Sequence, residues 1–438
     1  MLKHNSLLLA GCLISAVMLS ACSNDKVLPK GTRVSVLEQV TSVKPDVSDG
    51  ADKISVSAAA VNKAWLQSDM NAQHCLSNVK AGEEFQKQWS ADFGKGRSKR
   101  ELLISKPLAK DDKVYTLDAA GRLSAFNLAD GEELWAEKLI AGNKYVSDTA
   151  LKGVGLAIDG SVIYVTTGFG VVVAANIKDG SKVWENNLQT PLRIAPLVTD
   201  DKIFVQSVDN KFYALDKKTG EILWDYDIAM EDTTLVGGAI AAYSKEFDVV
   251  ITGFSNGEIQ AFNAEFGSPL WSDLLVANRQ AYSSTSLHTI KASPVVDGET
   301  VYVLGSANVL AAVDIKSGMR KWEKEIGGFK TPLLIENTLY VVTNRNELVA
   351  IDKENGDILW STAIESGKKM FEFMLYAPIM VNGKIVVTTS VGHVLMYDAK
   401  TGKMLKNVDL DKDFNSEPIA VDGYLLFVTD NAKLLAYK

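Results

Sequence analysis

The 438 residues carry 46 Lys and Arg against 54 Asp and Glu, a formal net charge of −8, with 47% apolar and 23% charged side chains. That balance excludes a chain that lives on phosphate contacts, which need a basic surface, and an apolar share of this size excludes one that is mostly disordered. The one basic run, Lys95-Gly-Arg97-Ser-Lys99-Arg100, reads as a solvated loop, so no nucleic-acid partner is expected.

The chain opens with Lys3 and His4 ahead of an apolar run, Leu7 to Leu19. The run has the length of a signal-peptide core and is too short for a bilayer-spanning helix. It ends in Leu19-Ser20-Ala21-Cys22, which resembles the bacterial lipobox, where small residues precede a Cys that is acylated and becomes the new N-terminus. Leu9-Ala10-Gly11-Cys12 has the same form, but cleavage there would strand an apolar segment on the mature chain. Cys22 is therefore the expected lipidation site and residues 1–21 the signal peptide, with an ordinary secretory peptide as the rival reading. By the same resemblance, Ser23 in place of Asp after the acylated Cys favours the outer membrane, with the protein anchored by lipid and facing the periplasm. Only Cys75 then remains as a thiol, expected to be half-buried and inert, and no internal disulfide is expected.

Residues 22–84 read as a lipid-anchored tether followed by a packed segment. Lys26 to Ser57 is polar and broken by Pro and Gly, and the stretch after it, with Trp65 and His74, reads as packed on the outside of a domain. His74 is expected to be a satisfied structural histidine.

From 85 to 438 one unit repeats. Gly and Trp recur four residues apart at Gly131/Trp135, Gly180/Trp184, Gly220/Trp224, Gly267/Trp271, Gly318/Trp322 and Gly356/Trp360, and a seventh Gly402 carries Lys406 where the Trp should stand. Each unit has the same grammar: a first strand that often opens on Pro (107, 196, 294, 332, 378, 418), a second apolar strand such as Lys202-Ile-Phe-Val, a third such as Phe212-Tyr-Ala-Leu, then the Gly corner and a fourth strand with the Trp. Pro is tolerated at a strand's first residue, and the corner Gly supplies the positive φ of the turn. The second and third strands occur in eight copies, but the last unit lacks its fourth strand. Phe85-Gln-Lys-Gln-Trp89-Ser stands alone ahead of the first unit and can complete it. The fold class expected is all-β: an eight-bladed β-propeller of four-stranded antiparallel blades, with the ring closed by the N-terminal strand.

Ala214-Leu-Asp216-Lys-Lys-Thr-Gly220-Glu-Ile-Leu-Trp224 resembles the tryptophan-docking repeat of the quinoprotein (PQQ) propeller superfamily. That resemblance implies that Trp89, Trp135, Trp184, Trp224, Trp271, Trp322 and Trp360 dock blade against blade, and that the joint at Lys406 differs. Two families share the repeat. The PQQ-dependent dehydrogenases commonly carry vicinal cysteines over the cofactor and Ca²⁺ on the axis; this chain has no adjacent cysteines, no Cys-x-x-Cys-His haem site and only 4 scattered histidines, so no cofactor, metal or catalytic residue is expected. The BamB family of outer-membrane assembly lipoproteins resembles the chain nearly throughout, in lipobox, tether, propeller and ring closure. This resemblance implies a non-enzymatic scaffold of the β-barrel assembly machinery. Its partners would be the POTRA domains of the barrel-inserting subunit, other assembly lipoproteins, and the membrane through the N-terminal lipid. The family's partner loop, Leu-x-Leu-Arg-Gly, corresponds to Thr233-Thr-Leu235-Val236-Gly237, with Val236 in place of the Arg; a second loop loses two acids and gains Lys291. The insert from Ala277 to His288 offers Arg279 and Tyr282, residue types that interfaces favour. Leu235, Val236, Gly237, Arg279, Tyr282 and Lys291 are therefore the expected partner-binding residues. A PQQ-dependent oxidoreductase and a periplasmic ligand-binding propeller are the alternatives, the second requiring a polar, aromatic-lined central funnel.

Overall fold

The computed structural model describes residues 42–82, 84–99, 101–139, 152–229, 236–276, 288–364 and 373–438. Within them the chain forms eight four-stranded antiparallel sheets, the blades of a closed β-propeller, as the repeat grammar requires. In the first blade the strands run outward from the axis as Leu108–Lys110, Lys113–Leu117, Arg122–Asn127 and Glu133–Lys138, and six further blades repeat that order. The eighth takes Ile419–Val421, Tyr424–Val428 and Lys433–Tyr437 from one end of the fold and its outer strand, Lys87–Asp92, from the other. Register at this closure runs from Trp89 opposite Ala436 to Asp92 opposite Lys433. Gln86 and Lys438 extend it by exchanging backbone hydrogen bonds of 2.6 and 2.9 Å.

Burial explains the composition of each strand. A blade has a neighbour on both faces, so its middle strands are covered on both sides and read as unbroken apolar runs, such as Ile203-Phe-Val and Phe212-Tyr-Ala-Leu. The outer strand lies at the rim and alternates, as in Ile222–Asp227, where the side chains at Trp224 and Tyr226 turn inward between exposed neighbours.

In the first seven blades the corner before the outer strand is built by one carboxylate or amide. Asp216 Oδ1 accepts from the backbone N–H of Lys218 and Thr219 at 2.8 Å, and Gly220 closes the turn at φ +76° with its N–H on the Asp216 carbonyl at 2.8 Å. Opposite each rim Trp stands an alanine: Ala125, Ala174, Ala214, Ala261, Ala312, Ala350 and Ala436. The small partner leaves the indole free to lean onto the corner glycine of the next blade. Trp184 lies on Gly220, Trp224 on Gly267, Trp271 on Gly318, and Trp89 of the closing strand lies on Gly131 of blade 1. Six of these indoles also donate Nε1–H to a carbonyl of the next blade, at 2.8 to 3.2 Å; the Trp135 Nε1 has no partner among the described residues.

A methyl at Gly267 would stand 2.4 Å from Trp224 Cδ2, at a backbone φ of +69°. Gly267→Ala is therefore expected to destabilise by roughly 2–4 kcal/mol, combining left-handed strain with overpacking. Gly298→Ala, at φ +55° with open space around it, carries the backbone strain alone and is expected to cost about 1 kcal/mol. Urea unfolding of the two variants separates the contributions, and equal losses would mean that the indole contact contributes nothing.

The joint at Lys406 differs because its receiving blade has no corner. The third and outer strands of blade 8 come from distant parts of the chain, so no Asp-to-Gly turn joins them. In its place stands Phe85, at φ +59° and packed on Phe427 and Tyr437, and the Lys406 ammonium lies 6.0 Å from its ring centroid. Across from Lys406 is Met396 where the other blades carry alanine.

Residues 58–75 do not lie on the outside of the domain. From Ala60 onward the segment crosses the innermost strands near the turns that lead to the second strands, whereas residues 46–53 lie against the outer strand of blade 6, Ile358–Ala363. Asp46 N–H bonds to Ile358 of blade 6, Val79 to Met380 of blade 7, and Gly82 to Gly423 of blade 8. Trp65 and Ala109 of blade 1 exchange two backbone bonds, Leu66 accepts from Ile158 of blade 2, and the Gln67 amide clasps both backbone groups of Val198 in blade 3. Ala72 accepts from Tyr243 of blade 4 and Gln73 from Val296 of blade 5. Residues 46–82 thus reach all eight blades. The large side chains of the crossing part fill the axis: Trp65 is 1% exposed, and so is His74. The His74 Nδ1–H donates to the Pro294 carbonyl at 2.8 Å, and burial lowers its pKa, which makes it a neutral structural histidine. Cys75 donates Sγ–H to the Val296 carbonyl at 2.9 Å, and burial, helped by Asp297, pushes its thiol up to about 12, far from the thiolate that reacts.

Candidate functional site at the axial mouth

The connections from each outer strand to the next innermost strand all leave the propeller on the face opposite the crossing segment. Their last residues converge on the axis and, with Ser68 and Asp69 of the crossing segment beneath them, enclose a cavity of about 320 Å³. Lys106, Ala195, Ser293, Thr331, Ala377 and Glu417 line it, and each stands immediately before the proline of an innermost strand. A residue before proline is held extended, which fixes how these six approach the axis.

The lining is charged. Five basic residues, Arg97, Lys106, Arg193, Lys291 and Lys330, face two acids, Asp69 and Glu417, an excess of three positive charges in a chain of net charge −8. Lys106 bridges the acids, 2.5 Å from Asp69 and in a short contact with Glu417, and Thr331 donates its hydroxyl to Asp69 at 3.2 Å. Burial by itself would raise the Asp69 carboxyl, but the Lys106 ammonium outweighs it and holds the group below the usual carboxylate range. Burial likewise opposes the Lys106 charge, and Asp69 and Glu417 overcome it, so this lysine stays charged.

The other cations are held differently. Arg193, 3% exposed, donates Nε–H to the Gly237 carbonyl at 2.9 Å and Nη1–H to Asn210 Oδ1 at 3.3 Å, and burial pulls it down to about 10. Burial, with Arg193 nearby, also lowers Lys291. Lys330 sits 4.9 Å over the Tyr376 ring; burial, opposed by Glu417 but helped by Lys291 and Lys106, brings it down to about 8. Among the described residues neither Lys291 nor Lys330 has a carboxylate within ion-pair distance, whereas Arg97 pairs with Asp430 at 3.5 Å.

The expected partner-binding residues divide in two. Val236, Gly237 and Lys291 meet at this cavity: Val236 is 51% exposed, Gly237 stands at φ +82° with its carbonyl held by Arg193, and the Lys291 Cε lies 3.7 Å from where a side chain at 237 would begin. Leu235, Arg279, Tyr282 and the lipidation site Cys22 lie outside the described residues. The seven tryptophans belong to the blade joints, away from the axis. In the apolar stretch after residue 372, Phe373, Leu375 and Tyr376 are buried and Met374 is 52% exposed, so burial accounts for most of it. Arg193, Lys330, Lys106, Asp69 and Glu417 were not singled out from sequence. The signal available for two of them was the proline that follows Lys106 and Glu417.

No group of three His, Cys, Asp or Glu side chains among the described residues is placed to hold a metal ion, and none of their helices is long and apolar enough to cross a membrane. The acids at the axis are committed to Lys106.

A family model described as outer membrane protein assembly factor BamB matches residues 144–362, half of the chain. The outer membrane protein assembly factor BamB of Yersinia pestis is 25% identical over 354 residues, 80% of this chain and 88% of that protein. Its counterpart from Escherichia coli K12 is 27% identical over 343 residues, 77% of this chain and 85% of that protein. Among solved structures, BamB from Moraxella catarrhalis superposes with a TM-score of 0.68 at 17% identity, covering 81% of this chain and 99% of that one. A quinohemoprotein alcohol dehydrogenase from Pseudomonas putida HK5 superposes equally, at 0.68 and 14% identity, covering 86% of this chain and 80% of that one. Likeness at that identity is one of fold, and the family is decided by the sequence match: the chain belongs to the PQQ-repeat propeller family described as outer membrane protein assembly factor BamB.

Proposed function

We propose that the protein is a non-enzymatic scaffold of outer-membrane β-barrel assembly, anchored through a lipid on Cys22 to the periplasmic side of the outer membrane. On this reading it holds the POTRA domains of the barrel-inserting subunit, in company with other assembly lipoproteins, against the face that carries the axial mouth. The observation that carries the reading is the meeting of Val236, Gly237 and Lys291, from two separate inter-blade connections, on one rim of that mouth. Family membership supports the assembly role, and the PQQ-enzyme alternative has only the shared fold behind it.

The test is affinity purification of the tagged, detergent-solubilised full chain from its native membranes, with mass spectrometry of what accompanies it. A POTRA-containing barrel protein is expected in near-equal amount, reduced about tenfold by Val236→Asp combined with Leu235→Asp, which place charge at the centre of the contact. Recovery of the tagged chain with no such partner would sink the scaffold reading. Cys22→Ser should release the protein from the membrane fraction, and retention there would refute the anchor.

A further inference from the structure

We propose that the axial cavity is a binding site for a small multivalent oxyanion, a phosphate or a compact polycarboxylate, held between Lys291 and Lys330. Four observations converge on it. The cavity holds three more positive than negative charges within a strongly acidic protein, so its sign is a local feature. Cations of the same cavity are treated differently: Lys106 is given two acids, whereas Lys291 and Lys330 have none within ion-pair distance among the described residues. A buried charge without a counter-charge is costly, and an anion between two such groups removes the cost for both. A volume near 320 Å³ lies at the small end of ligand pockets and suits an anion of a few heavy atoms to about a dozen. Finally, one hydrogen-bond donor is left over beside the cavity: Asn415 lines it and its buried Nδ2 donates to no described residue.

The walls strengthen the attraction. Ile194, Phe329 and the Tyr376 ring stand among the charges, and water excluded by such groups no longer screens them. The charged and titratable groups around Lys330 are Glu417, Lys291, Lys106, Asp69, Arg193, Arg97 and Tyr376, so cations outnumber acids around its ammonium. A free Lys330 titrating near 8 is partly neutral at that pH, and a bound anion restores its proton. Binding at pH 8 therefore takes up protons from the buffer. The inference stands apart from the scaffold reading, since the partner test can succeed whether or not an anion occupies the axis.

The experiment is isothermal titration of the full chain in detergent with citrate, and separately with inorganic phosphate, at matched ionic strength. At pH 8 it is run in two buffers of different ionisation enthalpy. Saturable one-to-one binding is expected for at least one anion, with a heat that changes between buffers in the sense of proton uptake. Lys330→Met and Lys291→Met should each weaken it about tenfold or more, the loss of a charge-assisted contact, and Lys330→Met should abolish most of the buffer dependence. Lys245→Met, at an exposed ion pair with Asp200, should change nothing. The Lys330→Met protein should unfold at an equal or higher urea concentration than the parent, which separates lost binding from lost folding. Binding of neither anion, or binding weakened equally by Lys245→Met, would overturn the proposal. Citrate binding alone assigns a polycarboxylate, and phosphate binding alone a phosphate.

Discussion

Lys106→Met is expected to lower the stability of the folded chain by about 3 kcal/mol, because it leaves the Asp69 and Glu417 carboxylates buried side by side with no cation between them. The methionine nearly preserves the volume, so the loss is electrostatic. Lys106→Met combined with Asp69→Asn and Glu417→Gln should recover most of it, since the repulsion is then gone. The pH dependence follows from the direction of the shifts. Asp69 titrates lower in the folded than in the unfolded chain, so its contribution is complete above about pH 4 and fades as the pH falls further. Lys106 titrates higher when folded, so its contribution is complete below about pH 10 and fades only as the pH rises past that. Urea unfolding of parent and variant should show a difference that is largest at pH 8 to 9 and shrinks as the pH falls, because the buried acids left without Lys106 take up protons above their ordinary range. A difference below 1 kcal/mol at neutral pH would show that the triad is not a structural element.

Trp65→Ala is expected to cost about 3–5 kcal/mol, the usual result of emptying a fully buried aromatic site. The indole stands where the crossing segment meets blade 1, and its Nε1–H donates to the Ser68 carbonyl at 3.4 Å, next to Asp69. Its loss should be felt at the axis as well as in the core. Guanidinium unfolding gives the free energy, and Lys330, Tyr376 and their neighbours should show shifted resonances. A loss under 1 kcal/mol would mean that the segment rests on its backbone bonds alone.

The repeat was readable because its parts are local. The Asp-to-Gly corner, the Trp four residues on and the two apolar middle strands all lie within one blade, and each has a short-range physical reason. The joint at Lys406 was readable as different, though its cause was not. The missing corner arises from strand exchange between distant segments, and Phe85 carries no mark of the role in its neighbourhood. Residues 58–75 were misplaced for a related reason. They form no long strand and show no period, since each bonds to a different blade, and the polar composition around Asn62 resembles a linker. The axial site was half legible. Six prolines marked the starts of innermost strands, but that the residue ahead of each faces the axis follows only from the closed ring.

The closing strand has a consequence for how the protein forms. Lys87 pairs with Tyr437 across 350 residues, and bringing such ends together costs about 5 kcal/mol in chain entropy before any bond rewards it. Seven blades can assemble from neighbouring sequence, but the eighth waits with the edge of Lys433–Tyr437 open until the last pairing arrives. During that interval the edge is available to any extended polypeptide nearby. The unclosed ring is the form most exposed to such a chain, and closure is the step that ends the exposure.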